Sequence, residues 1–345
     1  MKKELLDLLI SPKSRGGFSI KNQIIEGDDI KSGILFDDNG NEYKIADYVP
    51  RFVKELNSSQ TLESFSYKWK KFFQSALNKQ EQNKTIFLDH YGWDLSEFRN
   101  FVKTRKNVLD AGCGIGYITN WVASESKANV YGIDISFSIE NAYRNFAHKK
   151  RSNLHFIQAD LGELPFRGEF FDFIICKEVI HHTPEPRKNF SKLLSTLAPG
   201  GIILIYVYKK KGPIREFCDD FLRSYTTKLC VDDCYKFAEA MTEFGKSLRE
   251  AKVNIEIPKD IPFLNIKAGS YDLQRLFYWN VFKCWWDDEG DKEYSNAVNF
   301  DWYHPEYAFR YTEDEIKNWF KEENVKIENF NVLDAGIAVR GTKIK

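Results

Sequence analysis

The stretch Val108-Leu109-Asp110-Ala111-Gly112-Cys113-Gly114-Ile115-Gly116-Tyr117 decides how this chain of 345 residues reads. An apolar run leads into three glycines at alternate positions, the pattern of a buried strand that turns sharply and opens a helix. Glycine lets the backbone approach a ligand closely, because it has no Cβ to clash and tolerates positive φ. G-x-G-x-G alone does not select a ligand, since dinucleotide-binding folds use a close cousin. Asp110, two residues before the first glycine, narrows the choice. A carboxylate beside the turn suits a ligand carrying positive charge better than a pyrophosphate.

Working outward, residues 106–208 alternate strand and helix, as an open parallel sheet requires. Strands are predicted at 108–111, 130–133, 154–158, 171–176 and 202–208. Ile139, Ala142, Tyr143, Phe146 and Ala147 recur at helical spacing between the second and third strands. Phe190, Leu193, Leu194 and Leu197 do so before the fifth, and Pro199-Gly200-Gly201 is expected to end that helix. The pattern is half of a Rossmann-like α/β fold, with ligands expected at the carboxyl ends of the strands.

The segment beginning at Asp110 matches D-x-G-x-G-x-G and so resembles the class I S-adenosylmethionine (SAM) dependent methyltransferases. The resemblance implies a mostly parallel Rossmann-like sheet with a closing antiparallel strand, SAM as cofactor and S-adenosylhomocysteine as product. Gly112, Cys113, Gly114 and Gly116 would meet the methionyl part, and Asp110 its ammonium. Asp134, an acid about 20 residues past the glycines at the end of the second strand, is the expected acceptor for ribose hydroxyls. Ile135 would lie on the adenine face. Asp160 would accept from the adenine amino group, and the Leu161 amide would serve a ring nitrogen. Cys176 and Lys177, at the end of the fourth strand, reach the same crevice. Asp172, at the opposite end of that strand, is assigned a structural role.

His181 and His182 are the candidate bases, since imidazole accepts a proton near neutral pH. Either one also suits bracing of its loop, and His304 is a rival. Trp302, Tyr303 and Arg310 are candidate substrate contacts in an aromatic, polar segment that reads equally as a pocket wall or a buried loop. No metal site is expected. Cys230 and Cys234 share a helix spacing, but no neighbouring His or Cys pair completes a ligand set.

Five segments are expected. Residues 1–55 form a small β-rich module with a hairpin at Asp37-Asp38-Asn39-Gly40. It resembles a zinc-ribbon-like module that has lost its metal: Ser11 and Ser14 stand where cysteines would, while the run from Tyr43 to Phe52 keeps the second half. Residues 56–105 form a helical, aromatic-rich linker, including Phe65, Tyr67, Trp69, Phe72 and Phe73, with a capping box at Asp94-Leu95-Ser96-Glu97. Residues 106–208 are the core, 209–310 an insertion forming a lid or substrate region, and 311–345 the last helix and closing strands. Thr312-Glu313-Asp314-Glu315 is expected to start that helix.

The 50 basic and 50 acidic residues balance to a formal net charge of +0, which supplies no global field for nucleic acid. No apolar run reaches the ~18 residues of a membrane helix. Six cysteines without framework spacing suit a cytoplasmic protein with reduced thiols. These features favour methyl transfer to a small molecule that is sugar-containing, lipid-like or a secondary metabolite. No nucleic-acid partner or membrane span is expected, and the oligomeric state stays open. The alternatives are an RNA methyltransferase, motivated by the ribbon-like module, and a non-catalytic SAM-binding partner protein. A nicotinamide enzyme is more distant, since no catalytic Tyr-Lys or His-Asp pairing stands out.

Overall fold

The computed structural model describes residues 1–53, 60–72, 74, 78–146, 152–289 and 291–345; Phe73 and Ala147 lie outside them. Contacts divide the chain into two units, one of residues 1–58, 80–207 and 313–345, the other of residues 59–79 and 208–312. Residues 56–105, read from sequence as one linker, are therefore shared between the units.

In the first unit, β1 (Ser19–Glu26), β2 (Asp29–Phe36), β3 (Glu42–Ala46) and β4 (Val49–Pro50) form an antiparallel sheet. The expected turn at Asp37–Gly40 joins β2 to β3, with Asp37 accepting from the Asn39 and Asn41 amides at 3.0 and 2.9 Å. Ser11 Oγ donates to Asp37 Oδ2 at 2.6 Å, and Asn41 Nδ2 donates to the same oxygen at 2.9 Å. These donors hold the Asp37 carboxyl well below the usual carboxylate range, against a desolvation penalty that acts the other way.

The main sheet of this unit uses β5 (Asn107–Ala111), β6 (Asn129–Asp134), β7 (Leu154–Gln158), β8 (Phe171–Lys177) and β9 (Leu197–Lys209). Near the carboxyl end of the chain it adds β13 (Val325–Val332) and β14 (Gly336–Lys343). The spatial order is β13-β14-β9-β8-β5-β6-β7. β5 pairs in parallel with β6 and β8, β6 with β7, and β8 with β9, while β13 and β14 are antiparallel. This is an α/β fold with a Rossmann-like, mostly parallel sheet. Because helices cover both faces of such a sheet, its central strands read as apolar runs without alternation. Val108, Leu109, Ala111, Val130, Ile133, Phe173, Ile174 and Ile175 are all buried. β5 is flanked on one side by the next strand in the chain and on the other by β8, so strand order reverses there. A crevice forms at the carboxyl ends of such strands.

The capping box is present: the Glu97 amide donates to Asp94 at 2.8 Å, and the Asp94 amide donates to Glu97 at 3.0 Å. One expectation needs correction. Pro199-Gly200-Gly201 does not end a helix, because the preceding helix stops at Thr196 and these residues lie within β9. Pairing shifts from Phe171↔Leu197 to Phe173↔Ile202, so the segment is looped out as an irregularity with Gly200 at φ 75°. Such a bulge near the start of a strand leaves the extra residues outside the ladder and bends the strand locally.

The amino-terminal sheet is tied to the edge strand β7. The Phe52 amide donates to Gln158 O at 2.7 Å, and Arg51 bridges Gln158 Oε1 at 2.9 Å and Glu140 at 2.7 Å. Arg15 donates to the carbonyls of Leu164 and Phe166 at 3.1 and 2.8 Å.

In the second unit, helices Gln60–Lys71, Pro213–Thr226, Val231–Glu250, Leu273–Asn280 and Lys292–Tyr303 surround a core containing Phe72, Cys234, Tyr235, Phe300, Trp302 and Tyr303. β10 (Asn254–Ile257) and β11 (Gly269–Asp272) pair as antiparallel strands, and β12 (Arg310–Tyr311) runs parallel to Tyr208 and Lys209 at the end of β9. Among the described residues, no helix is long and apolar enough to cross a membrane.

Candidate active site

The glycine turn is held by the strand beside it. The amides of Gly112 and Cys113 both donate to Ile133 O, at 2.7 and 2.8 Å. Gly112 and Gly116 have φ of 84° and 79°, the left-handed region that favours glycine. A Cβ at Gly112 would lie 2.3 Å from Val179 Cγ2, and one at Gly116 2.8 Å from the Phe156 ring. Both glycines are thus demanded by backbone conformation and by close packing. The third, Gly114, donates its amide to Asp134 Oδ2 at 2.8 Å.

Two carboxylates bracket this turn. Asp110, on β5, is 4% exposed and accepts from Thr119 Oγ1 at 2.6 Å. Burial, helped by the charge of Asp134, pushes its carboxyl up to about 7. Asp134 closes β6 and is raised by burial, against donors that favour its charged form. Besides the Gly114 amide it accepts the Ser136 amide at 2.8 Å and Ser136 Oγ at 2.6 Å. With the Ser138 hydroxyl as a further donor, the roughly four acceptor sites of this carboxylate are served from within the chain. Desolvation penalises the charged form of both acids, so a cation bound here would stabilise them.

The remaining residues expected at the cofactor follow in strand order. Ile135 is half-buried, and its carbonyl accepts from Gln158 Nε2 at 3.0 Å. Asp160 follows β7, caps the short turn Leu161–Glu163 by accepting the Gly162 amide at 2.7 Å, and keeps partial exposure; Leu161 is buried. Cys113 is buried in the turn. Cys176 is fully buried, and burial pushes its thiol up to about 12, which suits packing rather than nucleophilic use. Lys177 ion-pairs with Glu178, and Glu178 holds φ 61°, an uncommon conformation for a residue other than glycine. His181 and His182 lie in the short turn Ile180–His182, both buried, with ring centroids 4.3 Å apart.

Sequence reasoning missed Tyr91 and His90, at the end of the helix Gln80–Tyr91. Tyr91 is fully buried, and its hydroxyl has no hydrogen-bond partner among the described residues. Burial raises it well above the usual range, with Glu178, Cys176, Tyr206 and Tyr117 as its charged or titratable neighbours. The His90 ring stacks on Tyr206 at 5.2 Å, and burial, then Lys177, lowers its imidazole to about 4. A buried hydroxyl left unpaired costs free energy, so it marks a place where a ligand atom would satisfy it. No short-range signal reveals this, since Tyr91 precedes the glycine turn by a whole helix.

His304, Trp302, Tyr303 and Arg310 belong to the second unit. His304 Nδ1 meets Ser64 Oγ at 2.6 Å and Nε2 meets Leu229 O at 3.2 Å, so both ring nitrogens are committed to the fold. Tyr303 is fully buried and donates to Lys283 O at 2.6 Å. Arg310 pairs with Glu216 at 2.7 Å and also with Asp220. Trp302 is buried beside several cations. Among the described residues, no three His, Cys, Asp or Glu side chains are grouped to hold a metal ion.

Residues 103–255 match a family model described as a methyltransferase domain. Phosphoethanolamine N-methyltransferase 2 of Caenorhabditis elegans is 32% identical over 130 residues, which are 36% of this chain and 30% of that protein. A ubiquinone biosynthesis O-methyltransferase of Coxiella burnetii is 32% identical over 96 residues, 28% of this chain and 41% of the relative. The chain thus spans less than half the length of each. Magnesium protoporphyrin IX methyltransferase of Synechocystis PCC 6803, solved with bound SAH, superposes with a TM-score of 0.43 at 14% identity, covering 82% of this chain and 97% of that one.

Proposed function

We propose that this chain, with a methyltransferase domain across residues 103–255, is a SAM-dependent methyltransferase acting on a small molecule. The observation that carries the reading is the pair of buried carboxylates, Asp110 and Asp134, bracketing a left-handed glycine turn at the carboxyl ends of β5 and β6. Such a site is short of positive charge, and a ligand with an ammonium and a sulfonium supplies it. A pyrophosphate would add charge of the wrong sign. The residues present therefore fit SAM. Asp110 would hold the ammonium, Asp134 a ribose hydroxyl, and Asp160 with the Leu161 amide the adenine edge.

When bound, SAM supplies a methyl group electrophilic enough for in-line displacement by an acceptor atom. The chain's part is to hold that acceptor close and aligned, from which most acceleration comes. For a protonated acceptor, His181 or His182 would accept the proton, and the Tyr91 hydroxyl, without a partner among the described residues, would orient the acceptor by a hydrogen bond. His304 drops out of this reading because its nitrogens are committed. The names of the two curated relatives favour a small acceptor. The amino-terminal sheet reads as a metal-free counterpart of a ribbon, with the Ser11–Asp37–Asn41 cluster in place of an ion.

Titration calorimetry of the full chain with SAM and S-adenosylhomocysteine tests the reading. Binding of both is expected, weakened by Gly114→Val. Absence of heat with either ligand, from folded protein, would sink it.

A further inference from the structure

The second unit buries an unusual number of cations around a few aromatic rings. Arg215 is 1% exposed, and its Nε pairs with Asp219 at 2.5 Å while a terminal nitrogen donates to Tyr278 O. Arg223 donates to the carbonyls of Trp302, Pro305 and Glu306. Lys68 pairs with Asp301 at 2.7 Å, and Arg310 takes Glu216 and Asp220. Each of these acids is paired with a cation, while Asp219 Oδ1 has no hydrogen-bond partner among the described residues.

Lys283 has no such match. It follows the helix Leu273–Asn280 and is 8% exposed. Among the described residues its ammonium makes no hydrogen bond or ion pair. It lies over ring faces, Trp302 at 4.9 Å and Tyr278 at 5.8 Å from the centroids, with the charges of Asp301 and Asp219 acting on it from farther off. Arg215 flanks the same two rings at 5.3 and 5.4 Å. Lys211 lies over the neighbouring Trp279 at 5.6 Å and donates to Lys209 O at 3.0 Å. Cation–π contact offsets only part of the cost of removing an ammonium from water.

We propose that Lys283, with Arg215 and Lys211 alongside and Tyr278, Trp279 and Trp302 as walls, forms a site for a small oxyanion, a phosphate or carboxylate group carried by a ligand. The electrostatics agree. Burial, then Arg215, lowers the Lys283 ammonium to about 8, and burial with Arg215, Lys209 and Lys283 lowers Lys211 to about 7. An anion between them would reverse both shifts. A lone structural lysine has no reason to be placed among like charges.

The inference does not rest on the cofactor reading, because its readout is anion binding without SAM. The full chain is melted in inorganic phosphate, malonate or chloride at equal ionic strength, and dissociation constants are measured by calorimetry. Phosphate, malonate or both are expected to raise Tm above chloride. A response to phosphate alone assigns a phosphoryl ligand, and one to malonate alone a carboxylate. Lys283→Met is expected to weaken binding at least tenfold, Lys283→Arg to restore most of it, and Lys292→Met, at an exposed ion pair, to change nothing. No stabilisation of the wild type beyond chloride, or full retention in Lys283→Met, overturns the proposal. If Lys283→Met does not fold, the wild type with 15N-labelled lysine decides. Saturating anion must raise the pKa of one strongly depressed ammonium, and an unmoved titration overturns the site.

Discussion

The two units bury charge of opposite sign. Around the glycine turn of the first, Asp110 and Asp134 are enclosed carboxylates whose donors are neutral hydroxyls and amides. Around Trp302 in the second, enclosed cations outnumber the acids that face them, and Lys283 is left against ring faces. Each arrangement is costly by itself, because burial disfavours the charged form of either sign. The first gains from a cation and the second from an anion. Opposite imbalances within one chain separate two ligand chemistries that formal neutrality over the whole sequence conceals.

The largest effect that would break this contrast is expected at Gly112. Gly112→Val forces a β-branched residue into φ 84° with its Cβ 2.3 Å from Val179. Loss of SAM affinity beyond a hundredfold, or loss of folded protein by circular dichroism, is the expected outcome, on the order of 3 kcal/mol or more for strain plus overlap. Calorimetry showing affinity within tenfold of wild type would remove the turn from the site.

Asp134→Ala comes next. It deletes a charged acceptor and leaves the Gly114 amide without its partner, so binding should weaken on the order of tenfold or more, from about 1.5–3 kcal/mol. Asp134→Asn should recover part of this, since its carbonyl can still accept from that amide.

Asp110 gives the comparison a pH dependence. Its folded pKa of about 7 lies above the unfolded value near 3.9, so the folded state holds the extra proton between them. This carboxyl therefore makes stability fall as pH rises from about 4 to 7 and level off above. A bound cation favours the ionised form. SAM affinity should rise with pH up to about 7, by at most about tenfold per unit, with a proton released on binding. Calorimetry between pH 5.5 and 7 in buffers of differing ionisation heat measures that proton, and Asp110→Asn should abolish the slope. A slope that survives in the variant would assign it to another group.

The smallest effects separate the two buried tyrosines. Tyr303→Phe deletes a bond to Lys283 O and should cost about 1 kcal/mol of stability by denaturant unfolding. Tyr91→Phe deletes a hydroxyl without a partner among the described residues and should leave stability unchanged or higher, while lowering turnover. Equal losses of stability would show that Tyr91 serves the fold, as Tyr303 does.

Legibility from sequence followed the range of the interactions. The strands β5 to β9 were readable because a buried parallel strand is a continuous apolar run between turn signals, and the Asp94 capping box because it closes within three residues. Pro199-Gly200-Gly201 misled because helix-stop chemistry and a strand bulge share composition, and only pairing with β8 distinguishes them. The tie made by Arg51 could not be read, because its partners Glu140 and Gln158 are 89 and 107 residues away in the chain.

By itself, the sequence determined the sheet, the glycine turn and the order of its acids, since each depends on neighbours a few residues apart. Only the tertiary structure decided how buried polar groups are met: that Asp134 is served by the glycine turn and the serines after it, that the Tyr91 hydroxyl lacks a partner among the described residues, and that Lys283 lies against ring faces. Compensation is a property of three-dimensional surroundings. A sequence lists its charges without showing which of them meet.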